Sequence, residues 1–363
     1  MPRIITDWIT LSEACELLRV SRPTFDKLRV KHKFRERQRG RPLYFSRLEL
    51  IRKVLIPEEV IGRSSNLIHK SHDIDDLEVA ANVFDLRGVA NVDEYGAMAL
   101  LCLLRRRLRD PERIVVVLVS DSTSCKYLKA IGFFDELKRG GSHFFVNDDD
   151  IKGETPLPPE NILRLQTLGY RGAEKVILDH LYDGLQKQGF SENLCSRLGW
   201  TLGELADNAH THAGGPCFIT IVSRPAKPNS PKFLCMSVGD IGPGIPETLK
   251  KNPKYQTLSD AKALCMAFKS SVTSWGDEAK RGKGLNDLLA VGKGNQAWVR
   301  VESNGMSLFF DFRKEPERWV EKGKSSTTTL GTRFSLVLID AAFKDVSKEE
   351  IDALIDSALE KEV

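Results

Sequence analysis

Glu204 and Asn208 stand four residues apart in Gly203-Glu204-Leu205-Ala206-Asp207-Asn208-Ala209. Leu194, Leu198, Leu202, Leu205 and Ala209 recur around them at helical spacing, which predicts an amphipathic helix with one core face. The carboxylate and the carboxamide then share a face, one turn apart. An amide oxygen can enter the oxygen shell of Mg²⁺, and a carboxylate can orient or deprotonate a water, so the pair suits a nucleotide site. Read alone, Glu204, Asp207 and Asn208 would serve equally well as the solvated side of a surface helix.

Three turns downstream favour the chemical reading. Phe233 to Val238 is an apolar strand that runs into Gly239-Asp240-Ile241-Gly242-Pro243-Gly244, a tight turn with an aspartate at its start. Arg281-Gly282-Lys283-Gly284-Leu285 is a glycine turn opening a helix, where backbone N–H groups can cradle phosphates. Leu330-Gly331-Thr332 feeds a strand of alternating character, Arg333 to Leu338. Each turn alone is an ordinary loop string.

Taken in this order, the four motifs resemble the GHKL superfamily of ATPases and kinases, whose nucleotide pocket is the Bergerat fold. Glu204 and Asn208 match its N box, Asp240, Gly242 and Gly244 its G1 box, Gly282 and Gly284 its G2 box, and Gly331-Thr332 its G3 box. The likeness covers roughly residues 165 to 342. It implies ATP and Mg²⁺ as ligands, with Asp240 accepting from the adenine amine and Asn208 as the metal ligand. Gly242 and Gly244 would let the backbone pass close to the purine, and Thr332 would complete that pocket. Gly282, Lys283, Gly284 and Leu285 would cover the phosphates, with Lys283 or Arg281 as a charge partner. Glu204 matches the catalytic glutamate of the family's ATPases and of the anti-sigma serine kinases, where sensor histidine kinases have asparagine. Hydrolysis and serine phosphorylation both stay open. His210 and His212 follow closely; they lack the acidic surroundings of a phosphoacceptor histidine and fit structural or phosphate-adjacent roles.

The positioning elements follow from the whole chain. Its 363 residues have room for two or three domains, and 41% hydrophobic with 29% charged residues is ordinary globular composition. No apolar run approaches the length of a membrane span, and the first residues lack an apolar leader, so neither a membrane span nor a signal peptide is expected. The seven cysteines are scattered without a Cys-x-x-Cys pair, which fits a reduced cytoplasm. The net charge of +4 is uneven: residues 1–62 hold 14 Lys and Arg against 8 Asp and Glu, while the rest is slightly acidic.

Within that basic segment, Thr10 caps a helix with the stripe Leu11, Ala14, Leu17 and Leu18. Ser21 caps a second helix, Arg22 to Arg29, with Pro23 in its first turn. A basic hairpin from Lys31 to Phe45 and a helix from Arg47 to Leu55 follow. This block resembles the winged helix-turn-helix of excisionase and MerR-type DNA-binding families, over residues 8–56. The likeness implies double-stranded DNA as partner, with Arg22, Thr24, Lys27 and Arg29 toward the major groove and Arg37, Arg39 and Arg41 on the wing. Single modules of this kind bind weakly, so a homodimer or a second site is expected. The rival is a protein-interaction domain with a solvated charged face.

Residues 57–75 read as a polar linker. From Val79 to Leu137 strand and helix alternate: a strand to Leu86, a helix from Glu94 to Leu108, the doubly buried strand Ile114–Val119 and a helix from Ser124 to Ile131. The order resembles a STAS-like domain, the fold of anti-sigma-factor antagonists, over residues 76–140. Its phosphoacceptor turn would fall on Asp93-Glu94-Tyr95-Gly96, with Glu94 where the serine would stand, so a fixed protein-docking domain is the expectation. Residues 140–160 read as a second linker whose Asp148-Asp149-Asp150 is a solvated turn. A helix from Ser347 to Glu360 should pack on the nucleotide domain.

The expected architecture is α/β and multi-domain: winged helix-turn-helix (1–62), STAS-like domain (63–150) and GHKL ATP-binding domain with an α/β sandwich (151–363). The expected function is an ATP/Mg²⁺-dependent regulatory switch with slow hydrolysis, coupled to DNA or to a protein partner on the STAS-like domain, without membrane contact. The alternatives are a serine/threonine protein kinase and a DNA-binding regulator that uses ATP only as a ligand.

Overall fold

The computed structural model describes residues 8–18, 21–34, 36–38, 43–46, 65–66, 77–110, 113–140, 143–154, 160–168, 181–187, 189–225, 232–270, 272, 274, 284–312, 318–322, 331–338 and 344–360.

The N-terminal block runs β1 (Trp8–Thr10), α1 (Leu11–Leu18), α2 (Arg22–His32), β2 (Glu36–Gln38) and β3 (Leu43–Ser46). Its strands form an antiparallel sheet in the order β1-β3-β2. Thr10 and Glu13 make a capping box: the Thr10 amide and hydroxyl both donate to Glu13 Oε2, and the Glu13 amide donates back to Thr10 Oγ1. Phe25, Phe34 and Phe45 form the small core, with the Phe25 and Phe45 rings edge-on at 4.9 Å. Ser21 occupies the cap position of α2, but its hydroxyl pairs with the Thr24 hydroxyl (2.9 Å) instead of a backbone amide. The helix expected at 47–55 lies outside the described residues.

The middle unit contains β4 (Ser65–Asn66), β5 (Glu78–Ala80), β6 (Val83–Asp85), β7 (Val89–Asn91), α3 (Glu94–Arg107), β8 (Val115–Leu118), α4 (Thr123–Ala130), α5 (Phe133–Arg139) and β9 (Phe144–Val146). Its main sheet has the order β5-β6-β8-β9, parallel from β6 onward. Three sequence expectations are corrected here. The strand expected from Val79 is broken at Asn82, whose positive φ of 61° turns β5 back on β6. Both supposed linkers contribute strands, since Ser65–Asn66 pairs with β7 and Phe144–Val146 extends the sheet beside β8. Runs of two or three residues are too short for periodicity to reveal. Asp148 to Asp150 does form a solvated 3₁₀ turn, with Lys138 on Asp148 at 2.7 Å.

The C-terminal part is built on seven antiparallel strands in the order β10-β11-β12-β16-β13-β14-β15. They are β10 (Glu160–Leu168), β11 (Cys217–Pro225), β12 (Lys232–Gly239), β13 (Trp298–Ser303), β14 (Met306–Asp311), β15 (Arg318–Lys322) and β16 (Thr332–Leu338). Alternation along them gives the sheet two inner faces. One carries Ile219, Ile221, Met236, Val238, Phe334 and Leu336 and packs on α6 (Glu192–Asn208), α8 (Asp260–Met266), α9 (Gly284–Gly294) and α10 (Lys348–Glu360). The other carries Phe218, Val222, Cys235 and Val337, and it is covered by α3 of the middle unit in one continuous apolar cluster. This explains why α3 is buried at every position from Glu94 to Leu104, although helical spacing predicts one broad apolar face of Ala97, Leu100, Leu101, Leu104 and Leu108.

Candidate functional site

The helix α6 begins at Ser191, whose hydroxyl accepts from the Leu194 amide, and buries Leu194, Leu198, Leu202 and Leu205 against the sheet. That leaves Glu204 and Asn208 half-buried on its other side. The helix then widens into a π turn, Ala209–Ala213, which Gly214 ends at φ 60°. Beyond β12, the chain turns at Asp240 and enters a short helix, α7 (Ile245–Leu249).

These elements enclose a cavity of about 230 Å³ whose wall includes Glu204, Asn208, Asp240, Gly244, Gly284, Leu285 and Thr332. Seven of the residues picked out from four separate motifs thus meet at one place. Gly242 stands behind this wall, where an added Cβ would lie 2.2 Å from the Ala213 Cβ. Gly282 and Lys283 lie outside the described residues. The wall also contains residues to which the sequence assigns no role: Thr211 and Ala213 from the π turn, Thr248, and the apolar Ile245 and Phe334; Val272 and Ser274 join them from the stretch 269–280, which the GHKL resemblance places in the lid. His212 lines it too, whereas His210 does not; its Nε2 is buried without a hydrogen-bond partner among the described residues. A widened turn has no sequence signature at this length, so the π-turn residues could be found only by continuing the helix past Asn208.

Two poles are distinguished by their contacts. At one, Asp240 is 8% exposed, and its Oδ1 accepts from the backbone amides of Gly242 (2.8 Å) and Thr332 (3.2 Å). Both bonds fall on one oxygen, which leaves Oδ2 for the cavity. Burial pushes this carboxyl up to about 6, against the pull of those two amides and of Arg333 and Arg109. Ser303 ties the same corner together, accepting from the Ile245 amide and pairing with the Thr332 hydroxyl. Gly331, at φ 102°, brings the backbone so close that a Cβ would sit 2.2 Å from the Asp240 carbonyl oxygen. At the other pole, Gly284 opens α9 directly against α6, and a Cβ there would lie 2.5 Å from the Glu204 Cβ. Asp352 of α10 fastens both flanks of this pole, accepting from the Ser270 amide and from Asn286 Nδ2.

Among the DNA-contact candidates, Arg22, Thr24 and Lys27 are exposed on α2. Arg29 is half-buried, with its guanidinium 5.8 Å from the centre of the Phe45 ring. Arg39 and Arg41 lie outside the described residues.

Residues 8–52 match the family model of a helix-turn-helix domain. No curated protein and no solved structure matches the chain. No helix among the described residues is long and apolar enough to cross a membrane.

Proposed function

We propose that the cavity is a GHKL-type site for ATP with Mg²⁺, and that the protein is a slow ATPase switch coupled to DNA binding by its N-terminal block. What carries the reading is the convergence of Glu204, Asn208, Asp240, Gly244, Gly284 and Thr332 on one cavity, although they come from motifs far apart in the chain. In this reading Asp240 Oδ2 accepts from the exocyclic amine of adenine, while Oδ1 holds the pocket corner in shape. The apolar Ile245, Leu249 and Phe334 sandwich the base. The Asn208 amide oxygen and the phosphate oxygens fit the oxygen preference of Mg²⁺, which would neutralise charge on the phosphates when bound. Backbone amides at the start of α9 face the phosphates, and Glu204 beside them orients and deprotonates the attacking water.

Phosphoryl transfer to a protein serine uses the same pocket. Glu94, which stands where the acceptor serine of a STAS-like domain would be, is 3% exposed and accepts a hydrogen bond from the Tyr127 hydroxyl. The middle unit therefore offers no acceptor at that turn, which favours water as the phosphoryl acceptor.

Calorimetry with MgATP, followed by phosphate release on the same samples, tests the proposal. Wild type should bind and slowly release phosphate. Asp240→Asn should lose binding, and Glu204→Ala should bind but release at least about a hundredfold more slowly. Equal binding by wild type and Asp240→Asn would sink the adenine assignment.

A further inference from the structure

The outward face of α2 holds a residue that charge alone does not explain. Val30 is 77% exposed, and among the described residues only Trp200 shares its standing as an exposed large hydrophobic. Phe25 is buried and Leu28 and Arg29 are half-buried, so they form the inner stripe of α2. The opposite stripe is Pro23, Asp26, Lys27 and Val30, at i, i+3, i+4 and i+7. That is the spacing by which a recognition helix presents side chains to base edges in the major groove.

The remaining polar groups narrow the choice. Arg29 is turned over the Phe45 ring, and the Thr24 hydroxyl pairs with Ser21. What faces outward at the centre of the helix is Asp26, Lys27 and Val30, flanked by the exposed Arg22, Lys31 and Lys33. An isopropyl group held in water amid cations contributes little to folding. In the major groove the C5 methyl of thymine is the apolar feature that such a group can cover, and the surrounding cations match the phosphates on either side.

We infer that Val30 is a specificity residue that packs on a thymine methyl, with Lys27 beside it on a neighbouring base or phosphate. This rests on the DNA-binding reading of residues 8–52.

The test is a methyl-deletion cycle with the full-length chain. Duplexes selected from a random library by the wild type would have each thymine replaced in turn by deoxyuridine, and binding would be measured for wild type and Val30→Ala. Alanine keeps the helix at so exposed a position, which a matching melting curve would verify. One thymine is expected at which the missing methyl weakens wild-type binding about fourfold and leaves Val30→Ala unaffected, the worth of one covered methyl group. The same response in both proteins at every thymine would overturn the inference while leaving DNA binding intact. A shift of Val30→Ala toward a smaller oligomer, with an unchanged deoxyuridine response, would overturn it too and mark the face as a contact between copies. Absence of salt-dependent binding by the wild type would instead remove the DNA reading itself.

Discussion

In the proposed site the two oxygens of Asp240 have separate duties, and this makes it the residue whose substitution is easiest to interpret. Asparagine retains an Oδ1 acceptor for the amides of Gly242 and Thr332, but replaces the cavity-facing oxygen with a donor that repels an amine. Asp240→Asn should therefore melt at or above the wild-type temperature while losing ATP, whereas Asp240→Ala should lose both. The pH dependence separates the same duties. Because burial raises the carboxyl to about 6, ATP affinity should fall as pH drops through that value, since the protonated acid is a poorer acceptor. The fold responds in the opposite sense: a raised carboxyl contributes stability below its unfolded value near 3.9, and this is lost as pH rises through about 6. Calorimetric titrations and melting curves across that window should move in opposite directions for wild type, and Asp240→Asn should remove both trends. The position of Asp240 was legible because its Asp-x-Gly-x-Gly turn falls in order with three other motifs; alone it reads as an ordinary loop. The division between its oxygens was not, since it depends on Gly331-Thr332 arriving from a distant strand.

At the scale of elements, the contact between α3 and the large sheet is more polar than its apolar cluster implies. Gly239, Arg333 and Glu302 are cross-strand neighbours on β12, β16 and β13, so all three point to the face that α3 covers. Gly239 leaves room for Met98 and Cys102, whose sulfurs lie 2.9 Å from where its Cβ would be. Beside it, Glu302 is held by Arg333 at 2.6 Å and Arg300 at 2.9 Å, and the Arg300 guanidinium lies 4.5 Å from the centre of the Tyr95 ring on α3. Burial opposes the Glu302 charge, yet the two arginines together hold its carboxyl below the usual range. Its contribution is therefore present above the ordinary Glu value and lost in acid, the reverse of Asp240. Glu302→Gln leaves Arg333 buried without its countercharge and should cost about 3 kcal/mol in denaturant titrations, whereas Glu302→Leu combined with Arg333→Met should recover most of that loss. Arg300 and Glu302 on β13 and Arg333 on β16 are distant in the chain, and each alone reads in sequence as a solvated strand position. Only the continuous apolar run from Ala97 to Leu104 hinted that α3 has a partner on every side.

For the whole molecule, the shared core sets what can be separated. Read as a sequence, the nucleotide part begins after a linker ending near residue 160. In the fold, however, Leu165, Phe218, Val222, Cys235 and Ile241 are each at most 5% exposed because the middle unit covers them. Uncovering a side chain of that kind costs about 1.5–3 kcal/mol, so losing the cover from several at once is comparable to the whole stability of an ordinary domain. A fragment beginning at Leu77 should therefore stay monodisperse and bind MgATP as the full chain does. With ATP at about 100 times its Kd, its melting temperature should rise by roughly 5 °C. A fragment beginning at Glu160 keeps every described residue of the cavity wall and yet should aggregate or bind a hydrophobic dye, because the second face of its sheet is bare. If the shorter fragment proved monomeric, with the same melting temperature and ATP affinity, the middle unit would be a tethered neighbour, not half of the core. If only the longer fragment binds, any partner that competes for α3 acts directly on the face behind Asp240, and the middle unit becomes the route by which the nucleotide site is controlled.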